Sequence, residues 1–284
     1  MNSLVVVGDD FGLDPVVNEG MIRAHTEGIL SAASLMVNGR GFADAVSRAR
    51  ETPSLRVGLH LVLVEGNATL PPSEIPDIVD SEGRFGTQII RTGIKYFFSR
   101  RAREQLRREI RAQFERFHAT GLRLDHVNGH NHFHIHPAVL DALLEVAADY
   151  GRPAIRVPLE PLIKSLKAAP GHAVEKIISA LIISPWAVQL ARRLRAGGFR
   201  TAQEVFGVYD SGRVTEGYLL EIIRRLGPGL TEIYTHPAAG RCPEIDRFMP
   251  DYRHEEELAA LCSPHVRAAL EERRIRTVGF ADVC

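Results

Sequence analysis

Thirteen residues, Asp125-His126-Val127-Asn128-Gly129-His130-Asn131-His132-Phe133-His134-Ile135-His136-Pro137, hold five of the chain's twelve histidines. Neutral imidazole is the commonest protein ligand for a divalent cation such as zinc. Alternate side chains of an extended chain share a face, so His130, His132 and His134 would converge if the strand ran on past Gly129. The competing reading is a run of solvated loop histidines, or one histidine capping a helix opened by Pro137. Carboxylates from elsewhere in the chain must decide between them.

Two carboxylates, Asp9 and Asp10, directly follow the apolar run Leu4-Val5-Val6-Val7. A short β-branched run ending in small and acidic residues is the pattern of a buried parallel strand with carboxylates at its C-terminal edge. An extended backbone would send these neighbours opposite ways, one to a metal and the other toward water or a histidine. His60 sits in an alternating run with Val57, Leu59, Leu61 and Leu63 on the other face, and His236 follows the strand-like 230–234. Arg156 and Tyr234 also fall at the ends of strand-like runs. Two histidines and one carboxylate, with positions left for water, make a catalytic metal site rather than a closed structural one. Such an ion acidifies its water and polarises a carbonyl, while a second carboxylate takes the proton and a histidine protonates the leaving amine.

The elements that must position these groups alternate along the chain. Helical spacing over 15–27, 41–50, 100–120, 137–150, 215–226, 252–262 and 264–274 is interleaved with seven or eight strand-like runs. This predicts an α/β fold, a TIM-like (β/α) barrel with seven strands or a distorted closure, as one domain over 1–284. Barrel chemistry gathers at the C-terminal ends of the strands, where the conspicuous residues fall. The stretch 65–92, rich in Pro, Gly and acids, reads as a long loop walling the site. The stretch 161–200 breaks the rhythm as a helical insertion, apolar in its middle and basic overall, suited to a membrane surface, a lid or a homodimer contact.

Lysine plus arginine equals aspartate plus glutamate at 35 each, so no global field calls for nucleic acid. Three scattered cysteines disfavour a disulfide framework or a cysteine zinc site, and a reducing cytoplasm fits them. The N-terminal apolar run is too short for a secretory signal. The apolar stretch 177–191 falls short of the roughly 18–20 residues a membrane span needs, so no transmembrane helix is expected. There is no Gly-x-Gly-x-x-Gly, Walker loop or Gly-x-Ser-x-Gly elbow to support a dinucleotide, nucleotide or serine-hydrolase site.

Five segments together carry a resemblance: Val7-Gly8-Asp9-Asp10-Phe11-Gly12, Gly58-Leu59-His60, Gly129-His130-Asn131-His132-Phe133-His134, Arg156-Val157-Pro158-Leu159-Glu160 and His236-Pro237. As a set they resemble the YdjC-like carbohydrate deacetylases across most of the chain. The resemblance implies a (β/α) barrel removing an N-acetyl group from an amino sugar with one divalent metal ion, zinc or magnesium. By that pattern Asp10, His60 and His130 bind the metal, Asp9 is the base and His236 the acid. His132, His134 and Tyr234 are substrate or supporting groups, and Arg156 holds Asp9 ionised and oriented.

Asn128-Gly129 departs from the Asp-Ser of many relatives, and His-Pro-Ala-Ala-Gly from the commoner His-Pro-Gly. The apolar insertion and the Asn-Gly-His-Asn-His-Phe-His run look most like the hopanoid-biosynthesis-associated HpnK branch, which implies a lipid-linked N-acetylglucosaminyl hopanoid substrate and a protein peripheral to the inner membrane. Two rivals use the same residues. One is a metal-dependent phosphoesterase or amidohydrolase, marked by two metals per chain. The other is a non-catalytic metal-binding protein, for which Asp9 would be dispensable.

Overall fold

The computed structural model describes residues 2–283. Strands and helices alternate in the order β1 (Asn2–Phe11), α1 (Pro15–Thr26), β2 (Ala32–Leu35), α2 (Phe42–Glu51), β3 (Arg56–Leu61), α3 (Ile89–Phe98), α4 (Arg100–His118) and β4 (Leu124–Gly129). After β4 come α5 (Pro137–Asp149), β5 (Ala154–Ile155), α6 (Leu162–Ala168), α7 (Ala173–Ala196), β6 (Glu204–Phe206), α8 (Glu216–Arg225) and β7 (Gly229–Thr235). The chain closes with α9 (Pro243–Phe248), α10 (His254–Leu261), α11 (Pro264–Glu272) and β8 (Arg276–Thr277).

Seven parallel strands form one curled sheet in the order β5-β4-β3-β2-β1-β7-β6, while β8 pairs with the base of β1 at Ser3 and Leu4. The sheet is a half-barrel rather than the closed barrel expected from the sequence. Its edge strands explain the gap: β5 has two residues and β6 three, and the helices α6 and α7 intervene between them. From β5, Ile155 N donates to Arg200 O (2.9 Å), in the segment that leads into β6.

Alternation along β1 sorts the core into two layers. Leu4 and Val6 pack outward against the helices, whereas Val5 and Val7 face the interior with Ala32, Ala154, Val205, Tyr234 and Phe280. Asp9 continues the inward row. Helix α4 buries Leu106, Ile110, Phe114 and Phe117 at spacings of three and four, and each full burial contributes about 1.5–3 kcal/mol.

Two local expectations are corrected. The loop expected over 65–92 gives way from Ile89 to helix α3, with Thr92, Gly93 and Tyr96 buried. The apolar stretch 177–191, expected to fall short of a membrane span, lies inside α7, which at 24 residues and mean hydropathy 1.4 is long and apolar enough to cross a membrane by length and composition. A further short helix, α9, lies in a Pro- and Cys-marked stretch with too few turns to show periodicity.

The end of β3, which delivers His60, is held by a side chain rather than by a further ladder pair. Gln113 of α4 accepts from Val62 N (3.0 Å) and donates to Val62 O (2.7 Å), and its amide also donates to Glu109 (2.9 Å). Glu109 in turn accepts from Thr69 N (2.8 Å) and Leu70 N (2.9 Å) of the long loop. Gln113→Leu strips partners from buried backbone groups, so unfolding in urea should show a loss of about 1–3 kcal/mol.

Candidate active site

Asp10 adopts φ +69°, a left-handed conformation that aspartate tolerates better than most residues. This single turn breaks the strand alternation, and the β1–β2 register shifts between Gly8 and Phe11. Both carboxylates therefore reach the same buried region, which an extended strand would forbid. Asp10 Oδ1 lies 3.1 Å from His60 Nε2 and 3.2 Å from His130 Nδ1, and the two ring nitrogens are 3.4 Å apart. Asp10, His60 and His130 are all buried, with ligand atoms mutually within 4.8 Å.

The donor set of this group suits a cation. His60 Nδ1–H donates to Asn128 Oδ1 (2.7 Å), which turns Nε2 toward the Asp10 carboxylate. Asp10 Oδ2 is buried with no partner. A carboxylate and two imidazole nitrogens thus converge, a donor set that a divalent ion satisfies. In the absence of an ion, burial opposes charge on both Asp10 and His130, yet their mutual attraction prevails. The Asp10 carboxyl falls well below its usual range and the His130 imidazole rises above its own. A second group, Asp14, Cys242 and Glu244, offers a contrast. There Asp14 already caps Val16 N (3.1 Å) and Glu244 pairs with Arg40 (3.1 Å).

Asp9 is held on both oxygens. Oδ1 accepts from Ser34 Oγ (2.7 Å), Asn128 Nδ2 (2.9 Å) and Arg156 Nη2 (2.9 Å), and Oδ2 accepts from Arg156 Nη1. Burial pushes this carboxyl up, but Arg156, with His60 and His236, overrides it and holds it far below the ordinary range. Arg156 also donates from Nε to Glu232 (2.5 Å) and stacks 4.3 Å above the Tyr234 ring. Burial raises the Glu232 carboxyl despite this partner.

The five clustered histidines have separate fates. After Gly129 the chain enters a 3-10 turn, His130–Ile135, with Asn131 and His132 both left-handed. The expected convergence of His130, His132 and His134 along one strand face is therefore overturned, and only His130 joins Asp10. His132 Nε2 lies 2.8 Å from the Tyr234 hydroxyl, and burial depresses this imidazole strongly. His134 Nε2–H donates to Arg156 O (2.9 Å), and burial lowers its pKa to about 4. Gly129 fits this turn because a Cβ there would meet His134 Nδ1 at 3.0 Å. His126 packs against Gly58, where a Cβ would come within 2.5 Å of its ring, and bonds Asp125 (2.9 Å). His136 stacks on Phe133.

His236 is half-buried between the rings of Tyr234 and Tyr252. Its backbone N–H donates to Glu257 (2.5 Å) and its carbonyl accepts from His254 Nδ1 (2.7 Å). Burial lowers its pKa to about 4, although Asp10 and Asp9 pull the other way. An open cleft of about 750 Å³ is lined by Leu13, Met36 and Glu65 and by Thr92 and Tyr96 of α3; its lining includes none of the metal-ligand group, and Glu65 links it to the turn after His130 by accepting from Asn131 Nδ2 (2.7 Å).

A family model described as YdjC-like protein matches residues 3–272. The chain belongs to the YdjC-like family. A carbohydrate deacetylase of Geobacillus stearothermophilus is 28% identical over 98% of this chain and 96% of its own length. One from Brevibacillus brevis is 44% identical, over 55% of this chain and 59% of its own length, so this alignment spans little more than half of that relative. A crystal structure from Enterococcus faecalis, described as a cellobiose-phosphate cleavage protein, superposes with a TM-score of 0.77 at 24% identity over the full length of both chains. That likeness establishes the fold.

Four supporting residues escaped the sequence reading. Ser34 stands at the end of β2, where the strand-edge rule could have found it, and Asn128 was visible only as a departure from the family pattern. Glu232 was an acid inside a buried strand, a signal in itself. Glu257 lay on a helix with three consecutive glutamates and nothing to single it out.

Removing the Asn128 amide frees the His60 tautomer, so Asn128→Ala should lower divalent-metal affinity about 10–100-fold in chelator competition. Metal must also displace the proton that Asp10 stabilises on His130. Wild-type affinity should therefore fall about tenfold per pH unit below the raised His130 pKa and level off above it.

Proposed function

We propose that this chain is a metal-dependent carbohydrate deacetylase that hydrolyses the N-acetyl group of an N-acetylglucosamine-containing substrate. The observation that carries the reading is the buried, converging Asp10–His60–His130 group, set beside an ionised Asp9. The family membership and the names of the full-length relatives support the reaction class. Asp10, His60 and His130 would hold one ion, and two imidazoles favour zinc over magnesium. A bound ion supplies Lewis acidity, polarising the acetyl carbonyl and acidifying water.

Within this reading Asp9 receives the proton of the attacking water. Arg156 keeps it charged and aimed, and its low basicity matches an acidified water better than a free one. His236 serves the departing nitrogen. Burial keeps its imidazole unprotonated at neutral pH, so the proton that Asp9 takes from the water has to pass to His236 before the amine leaves, and the two aspartates facing it favour that charged form. Tyr234, packed against His236 and hydrogen-bonded to His132, would form with it a wall of the sugar site.

The finer assignment is the HpnK branch, with an N-acetylglucosaminyl hopanoid as substrate. The His-rich turn and the apolar stretch 161–200 support it, the latter as a wall suited to a lipid. Acetate release from this lipid and from N-acetylated chitobiose, with metal content measured by elemental analysis, tests both levels. Asp9→Asn should cut turnover about 10²–10⁴-fold with one metal per chain retained. Wild-type turnover in that variant, or no acetate from any N-acetylated sugar, would overturn the deacetylase. Preference for the soluble disaccharide removes the lipid assignment alone, and two metals per chain would favour the phosphoesterase.

A further inference from the structure

The exposed apolar surface of this protein is concentrated in two places. Among the described residues, twelve of the thirteen exposed large hydrophobic side chains lie on α3, α6 or α7. On α3 they follow the helical repeat at Ile90 (81% exposed), Ile94 and Phe98 (76%). On α7 they include Ile178, Leu181 (73%) and Ile182. A protein face of this kind, contiguous along helices and rimmed by polar groups, marks an interaction surface rather than chance exposure.

The two patches flank one element. Helix α3 packs on α5, and its Phe97 ring lies 6.3 Å from His136. Helix α7 touches both α5 and the turn that carries His130. The opposite side of α3, through Thr92 and Tyr96, lines the open cleft that Glu65 joins to the turn after His130. An occupant of this face therefore sits across α3 from that cleft.

Helix α7 lies along the fold and does not leave it. Lys176 is buried and donates to Asp210 (2.5 Å) and to Ala169 O (2.8 Å) near one end, while Ala187, Leu190 and Leu194 are fully buried toward the other. Crossing a bilayer would tear out both attachments. Lying on one would not.

Charge selects the occupant. Arg91, Lys95 and Lys167 have no carboxylate partner among the described residues, and Arg103 donates to Phe97 O (3.4 Å) at the end of the apolar stripe. Helix α3 contains no acid, and the one acid of α7, Glu175, is 2.9 Å from His172. A chain with zero formal net charge thus places cations without a carboxylate partner on the same helices as its apolar patch. A second copy docking by twofold symmetry would set these cations against themselves. An anionic lipid surface complements both the apolar side chains and the charge.

We propose that α3 and the α6–α7 pair form one platform that seats flat on an anionic bilayer and holds the α3-lined cleft at the lipid headgroups. The chain's single tryptophan, Trp186, is partly exposed on this platform and reports on it directly. The full chain should co-sediment with vesicles of phosphatidylcholine plus phosphatidylglycerol, with a blue shift of Trp186 emission that weakens at high salt. Vesicles of phosphatidylcholine alone should retain much less. Ile94→Glu with Phe98→Glu, and separately Leu181→Glu with Ile182→Glu, should each cut vesicle binding about tenfold or more. These side chains are exposed, so far-UV circular dichroism and metal content should stay at wild-type values. Absence of sedimentation, or unchanged binding in both variants, would overturn the platform. So would concentration-dependent dimerisation abolished by the same substitutions without vesicle binding. None of these readouts uses turnover, so the platform and the deacetylase reading fail separately.

Discussion

The site depends on one buried guanidinium. Arg156 is 1% exposed and meets Asp9 through two nitrogens and Glu232 through the third. A charge removed from water so completely persists only with partners in place, and here both partners come from the adjacent strands β1 and β7. The consequence for Asp9 is lasting ionisation. Because its folded pKa lies below the unfolded value of about 3.9, this contribution to stability is complete above that pH and is lost as pH falls toward the folded value.

An ionised Asp9 then sets the proton positions around it. It demands a donor from Asn128, so Nδ2 turns to Asp9 and Oδ1 to His60. The oxygen in turn takes the proton of His60 Nδ1, and Nε2 is aimed at Asp10. An aspartate at position 128 could not bridge Asp9 and His60 in this way without protonation. The Asn128-Gly129 departure thus has a physical meaning: Asn128 relays the tautomer, and Gly129 admits the His134 ring behind the turn.

Much of this was legible in the residue pattern, because strand-end carboxylates and histidines obey simple periodicities. The alternation of β3 placed His60, and the apolar run before Asp9 placed the first strand. The misses have equally local causes. Two residues at positive φ, Asn131 and His132, convert an apparent strand into a turn, and nothing in the spacing of histidines encodes that. The positive φ of Asp10 likewise lets neighbouring carboxylates share one pocket. The open barrel reflects the brevity of β5 and β6, which β-propensity does not measure. Glu232 and Ser34 act through partners distant in sequence, so their roles become visible only with the sheet order in hand.

The central claim is that a single cation completes the Asp10–His60–His130 group. A crystal structure of the protein grown with zinc, with anomalous scattering recorded at the metal edge, addresses it most directly. The account predicts one anomalous peak per site at about 2.0–2.2 Å from Asp10 Oδ, His60 Nε2 and His130 Nδ1. A peak bound elsewhere, or these three residues unmoved with no metal between them, would contradict it.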